Sequence, residues 1–179
     1  MPAAIRRLLI SSAALALTAG GFVFGTGSAH AAATCSQAYL PLPDPSCTPG
    51  ATNPDVTQAT IGSTICVSGW TATIRPSTSY TNALKKQQIA EYGYSDTSMA
   101  DYEEDHFIPL ELGGDPRDPN NLWPEPRYAT GGTSETSFSK DSVETRLKTA
   151  VCHGTVSLAA AQDAIATDWT TALQSLGLG

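Results

Sequence analysis

The sequence predicts a small single domain of the α+β class, with short strands, flanking helices and disulfide staples. Segments rich in β-branched residues are followed by segments whose apolar residues recur at helical spacing. Four cysteines offer cross-links between distant parts of the chain. The length of 179 residues suits one domain with its own core, and 41% hydrophobic residues exclude a wholly disordered chain.

The N-terminal residues 1–31 have the features of a secretory signal peptide. The basic pair Arg6-Arg7 precedes an apolar stretch over residues 8–17, and Ala29-His30-Ala31 is a small-residue cleavage site, with cleavage after Ala33 as the alternative. A membrane anchor is the competing interpretation, but the apolar stretch is shorter than the ~20 residues of a membrane span. We therefore expect a secreted, extracellular protein that has no membrane contact after cleavage.

Residues 32–59 are predicted to form an extended arm that precedes the α+β domain over residues 60–179. Helical and strand periodicity are nearly absent from the arm, and prolines interrupt it throughout. We expect a disulfide to be its main constraint. The prolines are Pro41, Pro43, Pro45, Pro49 and Pro54.

The four cysteines all follow the predicted signal peptide, and an even number in an oxidising compartment indicates two disulfides. Three pairings are possible. We favour Cys35–Cys47, a short clip on the arm, and Cys66–Cys152, a long staple between early and late elements. A cysteine-based zinc site is the alternative, which the absence of any Cys-x-x-Cys spacing makes unattractive.

Three segments are predicted to contain strands. Residues 60–74 are rich in Ile, Val and Thr, which predicts one or two short strands before Pro76. Residues 102–112 form the next predicted strand, and the Gly-Gly-Asp-Pro sequence over 113–116 predicts a turn. A second short strand is expected over residues 121–123, stopped by the prolines that follow.

Three longer helices are predicted. The first covers residues 80–92, with Ser79 as its cap and Gly93 as its stop. Ser139 and Ser157 are expected to cap the two C-terminal helices. Apolar residues at helical spacing mark the buried faces of these two helices: Val143, Leu147 and Val151, then Ala161, Ile165, Trp169 and Leu173.

The strongest chemical signal surrounds His106, which follows directly on Glu103, Glu104 and Asp105. An imidazole titrates near neutrality and is suited to take a proton from water. Carboxylates are hard oxygen ligands for Mg²⁺, Mn²⁺ or Ca²⁺, and the side-chain amide of Asn121 could orient a partner. Together these groups fit metal-assisted attack of water on a phosphodiester.

The alternative without a function is a solvent-exposed acidic strand edge on which His106 pairs with Glu104. There is also a geometric objection, because Asp105 and His106 point to opposite faces of a regular strand and share one site only where the strand bulges or ends. The net charge of −7 argues against a broad basic surface for nucleic acid. It does not argue against an enzyme whose bound metal supplies positive charge.

The pattern Asp-His-x-x-Pro-Leu-x-Leu-Gly-Gly-x6-Asn-Leu-Trp, from Asp105 to Trp123, resembles the core of the HNH endonuclease family. A wider stretch, from Thr64-Ile65-Cys66 to Asp168-Trp169, is similar to small exported HNH-like proteins of actinobacteria. The resemblance implies a ββα-metal core, in which two strands and a helix surround one divalent cation.

By this resemblance His106 is the general base that deprotonates water, and Asp105 is a metal ligand at the end of the first strand. Asn121 holds the loop between the strands and orients His106, with Asn120 as the neighbouring alternative. Gly113 and Gly114 form the turn beside the site. The implied cofactor is one divalent ion, Mg²⁺ before Mn²⁺, Ca²⁺ or Zn²⁺.

The sequence departs from the HNH pattern at the last metal ligand, since no His follows Asn121 until His153. Asp141 and Glu144 lie one helical turn apart and are the better candidates for that ligand. His153, at the end of the same predicted helix, is more simply explained as a partner of helix carbonyls. Without that ligand, the domain could bind metal poorly or cleave nothing.

Arg117, Arg127 and Lys140 are the candidate substrate-binding residues, because they could steady a phosphate. Trp123 could stack on a base, although core packing is the simpler interpretation. The acidic charge favours short or single-stranded nucleic acid over long duplex DNA.

Two other functional classes compete with the nuclease. One is a secreted binding or structural module without catalysis. The other is a zinc hydrolase of another ester or amide, in which His106 and His153 would share one ion. An inhibitor or immunity partner cannot be inferred from the sequence.

Overall fold

A computed structural model of the protein describes residues 34–179, so the predicted signal peptide lies outside the described residues. The chain folds as an α+β domain, as predicted, with short 3-10 turns between its elements. No helix in this part of the chain has the length and hydrophobicity that a membrane span requires. The elements are α1 (Trp70–Ile74), α2 (Thr78–Glu91), β1 (Tyr102–His106), β2 (Leu122–Pro126), α3 (Ser137–Cys152), α4 (Leu158–Asp168) and α5 (Ala172–Ser175).

Strands β1 and β2 pair in an antiparallel sheet of two strands. The register places Asp105 opposite Trp123 and His106 opposite Leu122. Strand β1 is shorter than the predicted 102–112, because the chain turns away after His106 and forms a 3-10 turn over Leu110–Leu112. Pro109, which has no N–H to donate to a ladder, lies just before that turn.

The prediction of strands over residues 60–74 is wrong. This segment forms a 3-10 turn over Ile61–Ser63 and the short helix α1. Its threonines bond to nearby carbonyls instead of a partner strand: Thr64 Oγ1 donates to the Thr60 carbonyl at 2.8 Å and Thr73 Oγ1 to the Trp70 carbonyl at 2.7 Å. Such local bonds compete with strand pairing, and β-branched composition alone does not supply a neighbouring strand.

The three long helices appear where they were predicted, with shifts at their ends. Helix α2 begins after Ser77 instead of Ser79, and Gly93 at φ +64° follows its end. Helix α3 begins earlier than expected because Thr136 and Ser139 form a capping box in which Ser139 is the third helical residue. The predicted cap of α4 is confirmed, since the Ser157 side chain accepts a hydrogen bond from the Ala160 N–H. The helix is shorter than predicted, because it ends at Asp168 and Leu173 lies in the separate helix α5.

Two apolar clusters stabilise the domain. The first joins α3, α4 and the segment before α1, and contains Leu147, Ile165 and Trp169. The second is aromatic and packs Tyr92 of α2 against the sheet, with Trp123 at 6.0 Å between ring centroids. Trp123 is therefore fully buried in the core and does not present its ring for stacking on a base.

Both favoured disulfides, Cys35–Cys47 and Cys66–Cys152, are present, and no free thiol remains in residues 34–179 for a cysteine zinc site. The arm is held by more than its clip. The Gly50 N–H donates to the Asn120 carbonyl, and the Trp169 indole donates to the Pro41 carbonyl. The first contact holds the arm against the loop between the two strands, and the second holds it against the end of α4.

Candidate active site

The loop between β1 and β2 is held by the side-chain amide of Asn121, which is fully buried. Its Oδ1 accepts hydrogen bonds from the Ile108 N–H at 2.9 Å and the Ala51 N–H at 3.3 Å. Its Nδ2 donates to the carbonyls of Ile108 at 2.9 Å and Asp115 at 3.0 Å. All four bonds of the amide are thus used. Asn120, the alternative, has an exposed side chain without a hydrogen bond in residues 34–179.

Gly113 and Gly114 leave space for the Asn121 amide and its four hydrogen bonds, which we call the clamp. Gly113 ends the 3-10 turn at φ +73°, in the left-handed region that favours glycine. A Cβ on Gly114 would lie 1.7 Å from the Ile108 carbonyl oxygen and 2.8 Å from Asn121 Nδ2. No side chain fits there without moving the loop.

His106 is 4% exposed at the end of β1. Its Nε2 lies 3.1 Å from the carbonyl oxygen of Pro116, and because a carbonyl only accepts, Nε2 carries the proton. Burial lowers the pKa of His106, although Asp105 opposes this effect. The ring is therefore neutral near pH 7, and the lone pair is on Nδ1, which has no hydrogen-bond partner among residues 34–179. A neutral imidazole with a free lone pair has the state of a general base.

The ammonium of Lys140 is the centre of a second group of polar side chains. It donates to Asp105 Oδ2 at 2.7 Å, to Glu144 Oε1 at 2.5 Å and to the His106 carbonyl oxygen at 3.0 Å. Lys140 is 1% exposed. We call Lys140, Asp105, Glu144 and the nearby Glu125 the acidic cluster.

The acidic cluster contains three carboxyl groups and one ammonium. Burial disfavours the charge on Lys140, but Asp105 and Glu144 outweigh it and raise the pKa of the ammonium. Burial raises the pKa of Glu144 to about 8 and that of Glu125 well above its usual value, with Asp105 adding to both. Glu125 and Glu144 therefore retain protons at a higher pH than solvated carboxyl groups do.

The predicted metal ligands Asp105, Asp141 and Glu144 do not form one ligand set. Lys140 already bonds to the first and third, whereas the Asp141 residue is exposed and its carboxylate bonds to none of residues 34–179. In this part of the chain, no three His, Cys, Asp or Glu side chains are placed to hold one metal ion. As arranged, these donor atoms fit an ammonium and not a divalent metal.

His153 lies far from His106. It caps the C-terminus of α3 and is exposed, while Lys140, which contacts the His106 carbonyl, lies in the first turn of that helix. With a rise of 1.5 Å per residue, Lys140 and His153 are separated by about 20 Å. The geometry therefore gives no support to a zinc site shared by the two histidines.

Two exposed arginines belong to segments that approach His106. Arg117 follows Pro116, the hydrogen-bond partner of His106, and its guanidinium lies 4.7 Å from the centre of the Tyr80 ring. Arg75, which caps α1, lies near enough for its charge to contribute to the lowered pKa of His106. Both side chains are exposed and make no ion pair within residues 34–179.

The other two candidate substrate-binding residues are engaged elsewhere. Arg127 pairs with Glu103 at 3.1 Å and lies over the Phe138 ring. Lys140 is buried in the acidic cluster and is not accessible to a phosphate in this structure. Of the predicted set, only Arg117 is exposed and without an ion pair in residues 34–179, and its backbone directly follows Pro116, the partner of His106.

Glu104 is a further unusual carboxyl group on β1. Neither of its carboxyl oxygens is accessible, and neither has a hydrogen-bond partner among the described residues. Burial raises the pKa of Glu104 to about 8, against the nearby charge of Lys85. The folded protein thus holds a proton that the unfolded chain releases near pH 4.5.

This proton makes stability depend on pH. Because the folded pKa is the higher one, the contribution of Glu104 is fully present below about pH 4.5 and is lost as the pH rises through about 8. We expect Glu104→Gln to reduce the loss of unfolding free energy between about pH 5 and pH 9 by about 4 kcal/mol. Urea unfolding at both pH values measures it. Part of the dependence of stability on pH should remain, because the raised pKa of Glu144 changes stability in the same direction.

Asp163→Asn, at an exposed side chain of α4, is the matched control and should leave the slope unchanged. An equal slope in wild type and Glu104→Gln would mean that Glu104 is ionised or solvated in the folded protein.

The chain matches no protein-family model, no curated protein and no solved structure. Its resemblance to HNH endonucleases therefore remains a prediction that rests on the motif from Asp105 to Trp123.

Sequence reasoning missed two residues near the site. Arg75 directly follows residues 60–74, which were predicted to form strands, and the turn between α1 and α2 brings it towards His106. Glu125 was missed because its place opposite Glu103 follows from the strand register. A hairpin pairing carried beyond Trp123 would have pointed to Glu125.

Proposed function

We propose that the protein is an exported phosphodiesterase of the HNH-like type that cleaves DNA or RNA, with His106 as the general base. The observation that carries the proposal is the state of the imidazole. Its Nε2 proton is directed at the Pro116 carbonyl, its lowered pKa keeps it neutral, and Nδ1 retains a lone pair. A base that activates water needs contact only with a water molecule, so a largely buried ring is compatible with this role.

The order of elements supports the HNH-like assignment. Strand β1, a long loop, strand β2 and helix α3 follow one another, and the side chain of Lys140 connects α3 to the end of β1. The Asn121 side chain fastens the loop next to His106, which is the role that the resemblance gives it. The two disulfides support the proposal of a secreted protein.

The proposed reaction contains no step through a divalent metal, because Lys140 Nζ bonds two of the three predicted ligands. Positive charge near the scissile phosphate is instead assigned to Arg75 and Arg117. A guanidinium binds phosphate through paired N–H donors, and neither of these has a carboxylate partner among residues 34–179. With an acidic net charge, few phosphates are contacted, which favours short or single-stranded substrates.

The test is digestion of plasmid DNA, single-stranded DNA and RNA by the folded chain without residues 1–31. Each substrate is incubated in EDTA and with Mg²⁺, Mn²⁺ or Zn²⁺. Cleavage of any of them by highly purified protein supports the proposal, and the EDTA lane decides whether a metal is required. A folded protein that cleaves none of the substrates in any condition rules the nuclease out.

The arginines make a separate prediction. We expect Arg75→Ala and Arg117→Ala each to raise KM for an oligonucleotide about 10-fold with a smaller change in kcat, because each removes a contact to a substrate phosphate. Steady-state kinetics at low salt measure this effect. Arg146→Ala is the control, since that guanidinium bonds the Leu178 carbonyl on another part of the surface and should leave KM unchanged. Unchanged KM in both variants would remove the arginines from the site.

A non-catalytic secreted module is the second candidate, and one observation favours it. The ammonium of Lys140 fills the cluster to which the resemblance assigns the catalytic metal. This module would keep the clamp at Asn121 for stability and bind its partner without cleavage. It predicts no cleavage in the digestion test.

A further inference from the structure

The acidic cluster joins β1, β2 and α3 through one buried ammonium. We infer that Lys140 is the resident cation of this cluster, at the position where the sequence predicted a divalent metal, and that removal of its charge turns the cluster into a divalent-cation site. The inference concerns cation binding and does not depend on the proposed nuclease activity.

The geometry around Lys140 is that of a cation in an oxygen shell. An ammonium has three N–H donors, and here the three acceptors are Asp105 Oδ2, Glu144 Oε1 and the His106 carbonyl oxygen at 2.5–3.0 Å. No donor is left for water or for a substrate. The contacts therefore account for every hydrogen bond that the ammonium can make.

The position of Lys140 in its helix does not by itself favour a positive charge. Lys140 lies in the first turn of α3, where the helix dipole favours acids over bases. A buried ammonium is also costly unless it is paired and hydrogen-bonded. Both considerations indicate that the carboxylates of the cluster, and not the helix, hold the charge in place.

Glu125 shows that the cluster contains more carboxyl groups than the ammonium of Lys140 pairs with. It is 2% exposed, and neither carboxyl oxygen has a hydrogen-bond partner among residues 34–179. Three carboxyl groups thus face one positive charge, an excess that protons or a further cation must balance. The carboxyl groups of residues 34–179 are not placed to hold a metal ion while Lys140 lies among them. Once the ammonium is gone, Asp105, Glu125 and Glu144 could move together around a divalent ion, which would balance this excess.

The experiment compares wild type with Lys140→Met, which keeps an unbranched side chain and loses the charge. Thermal unfolding is followed in EDTA and in millimolar Ca²⁺ or Mn²⁺, and bound Mn²⁺ is counted by electron paramagnetic resonance. We expect the wild-type unfolding temperature to be the same in all conditions. The variant should unfold at a lower temperature in EDTA and regain about 5–10 °C with either cation, with one Mn²⁺ bound.

Lys148→Met controls for weak binding to an acidic surface. Lys148 lies two turns further along α3 in a half-exposed pair with Glu111 at 3.4 Å, so its removal should create no cation site. Adding Glu125→Gln to Lys140→Met should abolish the gain in the single variant. A folded Lys140→Met protein that gains nothing from either cation overturns the inference.

Wild type provides the test if Lys140→Met does not fold. Saturable binding of one Mn²⁺ to wild type, lost in Asp105→Asn, would mean that a divalent ion displaces the ammonium and would overturn the inference. Absence of such binding would support it. Neither result depends on nuclease activity, so a failure here is distinct from a failure of the proposed function.

Discussion

Replacing His106 with Gln is expected to lower the rate of nucleic-acid cleavage by about 10²- to 10⁴-fold, the range that general-base catalysis contributes. Gln is chosen because its amide N–H can still donate to the Pro116 carbonyl, as the Nε2–H of His106 does. What it cannot supply is the basic lone pair. The loss should fall on kcat, since the proton transfer occurs only in the transition state.

The pH profile distinguishes a catalytic from a structural effect at His106. Because burial lowers the pKa of His106, wild-type activity should persist below about pH 6.5 and fall only when the ring becomes protonated. Residual activity of His106→Gln should lack that acid limb. A variant that merely loosens the fold would lose activity at every pH and keep the shape of the profile.

The exposed His153 is the matched control for this experiment. It caps the C-terminus of α3, and His153→Ala should retain wild-type kcat and its acid limb. Circular dichroism and the unfolding temperature establish that each variant is folded. A folded His106→Gln enzyme with the wild-type rate would assign the general base elsewhere.

Contacts that the chain makes with its near neighbours could be predicted from the sequence. The Ser157 cap needs only the three residues that follow it, and the pairing of Cys35 with Cys47 needs a short loop of the arm. The sequence predicted two strands on either side of the Gly-Gly-Asp-Pro turn, and both are present. These signals are local, so tertiary packing does not overrule them. The expected stop at the prolines is wrong, since β2 continues through Pro124 to Pro126.

The environment of Lys140 and the structure of residues 60–74 could not be predicted from local sequence. The sequence predicts a phosphate contact for Lys140 because a lysine is usually solvated, but the capping box starts α3 two residues before Ser139, and Lys140 is buried against Asp105. For residues 60–74, β-branched residues predicted strands, yet the core accepts Ile65 from a turn. Both outcomes depend on partners that are distant in sequence.

Replacing Asn121 with Ala is expected to lower the unfolding free energy by about 4 kcal/mol. Four hydrogen bonds of a fully buried amide disappear, and the backbone groups of Ile108, Ala51 and Asp115 lose their partner. Each buried group left unpaired costs about 1–3 kcal/mol, partly relieved when water enters the space. Urea unfolding monitored by tryptophan fluorescence measures the loss.

The doubled asparagine offers its own control. Asn120→Ala removes an exposed side chain that makes no hydrogen bond in residues 34–179, so we expect a change within about 0.5 kcal/mol. Gly114→Ala should be as severe as Asn121→Ala, because its methyl group would lie 1.7 Å from the carbonyl oxygen that the amide binds. Gly62→Ala, with nothing within 4 Å, is the matched glycine control.

Comparable losses in Asn121→Ala and Gly114→Ala, with both controls near wild type, would locate the stability of the loop in one clamp. Asn121 also acts through its backbone, since the Phe107 N–H next to His106 donates to the Asn121 main-chain carbonyl at 2.8 Å. Asn121→Asp separates the two halves of the clamp: it keeps both bonds to Oδ1 but sets an oxygen against the carbonyls of Ile108 and Asp115. If this variant is as stable as wild type, the donor half of the clamp contributes nothing to stability.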